Sequence, residues 1–120
     1  MGDYRTLLAY QKAFALAMKI YKISKSSLLK KKYGLATQIR DSSRSVCVNI
    51  VEANKRRRYK DYYVSKLNDS ETENAETQVW LDFANACDYV SLAEYVELKS
   101  DNDEVAKLVL YMIKNPEKFI

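Results

Sequence analysis

Residues that reverse a chain are almost missing from this one. Its 120 residues include 2 glycines and 1 proline, at Gly2, Gly34 and Pro116. A β-sandwich or barrel turns back roughly every ten residues and uses both residue types to do so. A chain this poor in them can reverse only a few times, between long straight elements, and is therefore all-α. Apolar residues make up 48%, enough for a packed core and too many for a disordered chain. The length is near that of one ordinary domain. With no linker, internal repeat or low-complexity tract, residues 1–120 read as a single unit.

Four helical periods follow one another. The first spans about residues 4–29, with Leu7, Tyr10, Phe14, Ala17 and Tyr21 at three- and four-residue steps and Met18 widening the stripe. Asp3 is placed to cap its start, and Lys30-Lys31-Lys32 sets cations near its negative end. The second spans about residues 34–54, with an apolar stripe of Leu35, Ile39, Val46, Ile50 and Ala53. Beside it runs a polar seam of Gln38, Ser42, Ser45, Asn49 and Glu52, whose heptad spacing points to a second packing surface with hydrogen-bonded contents.

The third period spans about residues 60–89. One seam holds Tyr63, Leu67, Ser70, Asn74, Thr77, Leu81 and Ala84; its neighbour holds Asp69, Glu73, Glu76, Trp80, Phe83 and Cys87. The fourth opens on Ser91-Leu92-Ala93-Glu94, a capping box in which the serine hydroxyl and the glutamate serve each other's backbone amides. Ser100-Asp101-Asn102-Asp103 is weak helix sequence and is expected to bend or interrupt it. Asn115-Pro116 stops it, because the residue before proline avoids the helical region. Four such helices with short links predict an antiparallel up-down-up-down bundle.

Histidine is absent. That excludes Ser-His and Cys-His nucleophile pairs, His-ligated metals and the Glu-x-x-His iron sites some bundles carry. With no glycine-rich phosphate loop and no metal motif, the sequence reads as non-enzymatic and without a cofactor. Cys47 and Cys87 sit beside apolar neighbours and read as small core residues in a reducing compartment. No stretch approaches 18 uncharged apolar residues, so none spans a membrane. The first residues do not read as a signal peptide, and Met1-Gly2 fits a myristoylation signal only loosely. The expected location is the cytoplasm.

Charge is strongly segregated. Residues 1–66 carry 16 Lys and Arg against 4 Asp and Glu, a net of +12, whereas residues 67–120 carry 4 against 12, a net of −8; together they give the +4 of the whole chain. Either an anionic partner or basic and acidic helices facing each other would account for this. The carboxylates Asp69, Glu73 and Glu76 share one face, and Arg40 and Arg44 lie one turn apart. Arg–carboxylate pairs between helices two and three, within a subunit or across an interface, explain both better than metal binding or acid–base chemistry. The run Lys55-Arg56-Arg57-Arg58-Tyr59-Lys60, followed by Tyr62-Tyr63, falls between helices two and three. Its cations can neutralise phosphates and its tyrosines can stack on unpaired bases. A solvated, solubilising loop is the competing reading. Lys30–Lys32 should lie at the opposite end of the bundle.

Five blocks in this order carry a family resemblance: Leu8-Ala9-Tyr10-Gln11-Lys12-Ala13, Tyr33-Gly34-Leu35-Ala36-Thr37-Gln38-Ile39-Arg40, Ser45-Val46-Cys47-Val48-Asn49-Ile50-Val51-Glu52-Ala53, Glu76-Thr77-Gln78-Val79-Trp80-Leu81-Asp82-Phe83-Ala84 and Asn115-Pro116-Glu117-Lys118-Phe119. Together they resemble the four-helix-bundle proteins encoded by intervening sequences in 23S ribosomal RNA genes. That family often has glycine where this chain has Ala53. The resemblance implies an antiparallel four-helix bundle assembling as a homopentamer, related to the accessory protein of diversity-generating retroelements, a more basic bundle that binds a reverse transcriptase and nucleic acid. It also implies that Gln38, Arg40, Asn49, Glu52, Glu76 and Trp80 hold the bundle or ring together. Two functions are expected from this: a nucleic-acid-associated bundle contacting RNA or DNA through Lys55, Arg56, Arg57, Arg58 and Lys60, or an adapter docking a reverse transcriptase or other protein.

Overall fold

The computed structural model describes residues 3–26 and 28–120. Four long helices carry it: α1 (Leu8–Ser26), α2 (Tyr33–Lys55), α3 (Lys60–Ala86) and α4 (Leu92–Lys114), with single 3-10 turns at Tyr4–Thr6, Leu28–Lys31 and Pro116–Lys118. They pack into a rod of 44 × 21 × 20 Å, with α2 and α3 in the most extensive contact. The order is antiparallel. Thr77 of α3 donates to the Ser42 hydroxyl of α2 at 2.8 Å, and Ser70 to the Val46 carbonyl at 2.9 Å, so residue numbers rise along one helix as they fall along the other.

Local chemistry sets the ends. The capping box forms as expected: Glu94 N donates to Ser91 Oγ at 3.0 Å and Ser91 N to Glu94 Oε1 at 2.8 Å. At the end of α3, Asp88 takes φ 59°. Its amide reaches Asn85 O at 3.1 Å and that of Tyr89 reaches Ala84 O at 2.8 Å, the paired bonds of a Schellman closure. Asp3 caps as expected, accepting from Arg5 N at 2.9 Å, but it caps the short turn. Leu7 is extended there, and α1 begins at Leu8 rather than at residue 4. Ser27, inside the predicted first helix, lies outside the described residues.

The core follows the expected apolar stripes in α2 and α3, where Ile39, Ile50, Leu67 and Leu81 are buried, and in α4, where Leu98, Val105 and Val109 are buried. In α1 it does not: Ala9, Ala13, Leu16 and Ile20 face inward, and of the expected stripe Ala17 is buried while Phe14 and Met18 are exposed and Leu7, Tyr10 and Tyr21 are half-buried. Two other expectations fail. The Ser100–Asp103 stretch does not interrupt α4, because Asn102 is buried and held by Asn74. Asn74 Nδ2 donates to Asn102 Oδ1 at 2.9 Å, and Asn102 Nδ2 donates to Asn74 O at 3.2 Å and to Gln78 Oε1 at 3.3 Å. Cys87 is exposed while Cys47 is buried, and neither is in a disulfide. Cys87 follows the last residue of α3, where the chain leaves the core. Among the described residues no helix is long and apolar enough to cross a membrane.

Candidate nucleic-acid interface

The antiparallel order brings the end of α2, the start of α3, the end of α4 and the residues before α1 to one end of the rod. Arg5, Lys55, Arg56, Arg57, Arg58, Lys60, Lys114 and Lys118 therefore share that end. Lys30–Lys32 lie at the other, where Lys32 Nζ stands 5.0 Å from the centre of the Tyr89 ring. The two basic clusters are separate, as the bundle topology requires.

The basic run is not uniform. Its backbone leaves α2 through Arg56 N to Ala53 O at 3.0 Å and turns into α3 through Tyr59 N to Arg56 O at 2.9 Å. Arg57 is half-buried, and its Nη1 donates to the Asn54 carbonyl at 2.9 Å. This puts a cation on the C-terminal turn of α2, where the helix dipole is negative. Lys55, Arg56, Arg58 and Lys60 are exposed, with Arg58 set over the Tyr59 ring at 5.4 Å. Lys55 and Arg56 also flank a recess of about 370 Å³ with Val51, Glu52 and Tyr62. Tyr62 is 47% exposed. Glu52 does not oppose the cations alone, because Lys66 Nζ pairs with it at 3.2 Å. The arrangement presents phosphate-neutralising groups beside an open aromatic face. Of the two tyrosines that the sequence offered for stacking, Tyr62 belongs to this site, whereas Tyr63 is buried in the core and cannot meet a base.

The remaining singled-out residues lie along the rod. Arg40 and Arg44 turn toward α1. Arg40 Nε donates to Ser24 Oγ at 2.7 Å, and the guanidinium carbons of Arg40 and Arg44 stand 5.9 and 5.8 Å from the centre of the Tyr21 ring. Lys25 Nζ reaches the Tyr21 hydroxyl at 3.2 Å, and that hydrogen bond, with the nearby cations, lowers the Tyr21 pKa. Within the subunit the structure does not bring Arg40 or Arg44 to Glu73 or Glu76; none of the four has an ion-pair partner among the described residues. The Glu73 pKa is raised by partial burial and then by Glu76 and Asp69. Gln38 is exposed, and half-buried Asn49 donates from Nδ2 to Ser45 O at 3.0 Å. Trp80 packs on the core with its ring 6.2 Å from that of Phe83, and its Nε1 is buried without a hydrogen-bond partner.

The apolar stripe expected to pack α1 into the core instead faces a groove of about 430 Å³ between α1 and α2, lined by Tyr10, Phe14, Met18, Tyr21, Arg44 and Val48 among others. Val48 and Val51 interrupting the polar side of helix two were its signal. Cys47 faces this groove as a neutral thiol, its pKa pushed by burial up to about 11. No group of three or more His, Cys, Asp or Glu is gathered as metal ligands among the described residues.

No curated protein matches the chain. Among solved structures it is similar to a protein of unknown function from the S23 ribosomal protein family of Bacteroides thetaiotaomicron VPI-5482. The two are 27% identical with a TM-score of 0.82, over 89% of this chain and 96% of that one. A family model for the 23S rRNA-intervening sequence protein matches residues 5–110. With that match running from just ahead of α1 almost to the end of α4, the chain belongs to the 23S rRNA-intervening sequence protein family.

Proposed function

We propose that the protein is a non-enzymatic, self-associating helical bundle, a homopentamer, that binds RNA through the basic end of the rod. The observation that carries RNA binding is the juxtaposition of exposed Lys55 and Arg56 with the open ring of Tyr62 around one recess. Arg58 and Lys60 extend the cationic surface. Phosphates supply the attraction and an unpaired base supplies the stacking partner. Several copies on one assembly would multiply weak single contacts. The family name, tied to 23S ribosomal RNA genes, and the resemblance to pentameric bundles support the same reading.

A gel-shift titration with single-stranded and duplex RNA tests it. Binding at low salt that weakens steeply as salt rises, and favours the single strand, is the expected result. No affinity for either at low salt rejects it. Recovery of a stoichiometric protein partner by a bundle with no RNA affinity favours the adapter reading instead.

A further inference from the structure

We propose that the bound RNA strand crosses the end of the rod, from the Tyr62 recess on the α2–α3 side to a second platform formed by Tyr111, Lys114 and Lys118 at the end of α4. The inference rests on the RNA reading above and extends its site.

The second platform repeats the first in kind. Tyr111 is 46% exposed, close to the 47% of Tyr62. The Phe119 ring packs against it edge to face, with 6.1 Å between centres, and so holds its plane. Lys118 Nζ donates to the Tyr111 hydroxyl at 2.7 Å and stands 5.2 Å from the ring centre. Lys114 is exposed. Neither lysine has an ion-pair partner among the described residues, although Glu117 lies between them in sequence. An open tyrosine beside unneutralised cations suits an unpaired base and its phosphates.

Register sets the two platforms level. Asn74 of α3 bonds to Asn102 of α4. Twelve residues from that contact toward the basic end stand Tyr62 on α3 and Lys114 on α4, each about 18 Å along its helix. They occupy different sides. Tyr62 shares its recess with Val51, Lys55 and Arg56 of the α2 end, whereas Tyr111 lines one with Leu7 and Leu8 beside α1. Between the two sides the α2–α3 turn carries exposed Arg58 and Lys60 against Asp61, across a rod 21 × 20 Å in section.

Carboxylates close the routes along α3 and α4. Seven residues, or two turns, beyond Tyr62 comes Asp69, followed by Glu73 and Glu76. The nearby Lys66 is already held by Glu52 and Asp69. Seven residues beyond Tyr111 in the same direction comes Glu104, which with Asp101 and Asp103 outnumbers Lys107 around one recess. Phosphates are repelled from both stretches, so the cationic end carries the strand from Tyr62 to Tyr111.

Fluorescence anisotropy with labelled oligouridylates of four and twelve nucleotides tests this. The shorter can occupy either platform, and the longer can hold both at once. Lys114→Gln/Lys118→Gln should weaken the longer strand, lower its salt slope by about 1.4, and hardly change the shorter. Tyr111→Leu alters no charge and should weaken the longer strand roughly tenfold. Tyr111→Phe should bind like the unmodified protein, because the ring stacks and the hydroxyl is spent on Lys118. Unchanged affinity for the longer strand in either of the first two variants, or equal losses at both lengths, overturns the crossing and leaves the RNA reading standing. Should Tyr111→Leu unfold, the lysine variant, whose changed side chains are exposed, decides. Unmodified protein that binds neither strand rejects the RNA reading itself, and the crossing with it.

Discussion

Arg57 should separate from its neighbours in one experiment, because the structure gives it a different task. Its guanidinium is half-buried and bonds the Asn54 carbonyl at 2.9 Å, whereas Arg56 and Arg58 are exposed. Arg57→Ser removes a charge-assisted hydrogen bond and a favourable cation from a helix C-terminus. Discounted for partial exposure, that is about 1–2 kcal/mol. At roughly 2.1 cal/mol/K of unfolding entropy per residue, the melting temperature should fall by about 4–8 °C. Arg56→Ser/Arg58→Ser should leave melting nearly unchanged and act on RNA instead. Each lost phosphate contact lowers the salt slope for a single strand by about 0.7, so two lower it by about 1.4. Between 50 and 200 mM salt the advantage of the unmodified protein over the double variant should therefore shrink about sevenfold. Thermal melts by circular dichroism and binding titrations at four salt concentrations read both quantities. Equal loss of salt slope in Arg57→Ser, or an unchanged slope in the double variant, would refute the division of labour.

Two further outcomes follow from the interior. Asn102→Ala removes two buried side-chain hydrogen bonds to Asn74 and a part-buried one to Gln78 and should cost about 3 kcal/mol in urea denaturation. Asn74→Leu/Asn102→Leu removes both partners and should cost far less than the two single changes together, so strict additivity would disprove the coupling. Alkali should also unfold the protein. Burial pushes Cys47 up to about 11 and Tyr63 up to about 12, while the unfolded chain releases these protons near pH 8.5 and 10. Between those limits the unfolded state binds fewer protons, so stability falls as pH rises, by about 2–3 kcal/mol per group. Tyr63→Phe should remove the tyrosine's share, which urea midpoints at pH 8 and 11 would show.

What the sequence made legible was whatever depends on near neighbours. The apolar stripes of α2 and α3, the Ser91–Glu94 box and the Asn115-Pro116 stop all appear where the residues place them, whereas in α1 the larger Tyr10-Phe14-Met18 stripe faces the groove and the smaller Ala9-Ala13-Leu16-Ile20 face packs inside. Errors arose where a distant partner decides. Ser100–Asp103 is poor helix sequence taken alone, but Asn74, 28 residues earlier, holds Asn102 inside. Arg57 looks like its neighbours in the run, and only the position of the Asn54 carbonyl distinguishes it. The spacing of Arg40 and Arg44 showed a shared face but not which helix that face meets, and Tyr21 and Ser24 of α1 occupy it.

Charge segregation along the chain resolves into two parts with different destinations. One part is settled inside the subunit: Lys12 pairs with Glu104 at 3.5 Å, and Lys19 with Glu97 at 3.1 Å and Asp101 at 2.7 Å, so basic α1 lies against acidic α4. Such exposed pairs contribute little stability, but they set which helices adjoin without like-charge repulsion. The other part is not settled inside. α2 carries its arginines on the flank toward α1, and α3 carries Glu73 on the flank toward α2, with the α2 rod between them. Neither group has an ion-pair partner among the described residues. The basic run stands apart from both, at the end of the rod where the α2–α3 turn carries Lys55, Arg56, Arg58 and Lys60 exposed. One of the three charge groups is thus neutralised within the subunit, and of the other two the basic run is the one whose density suits the phosphates of the RNA proposed above.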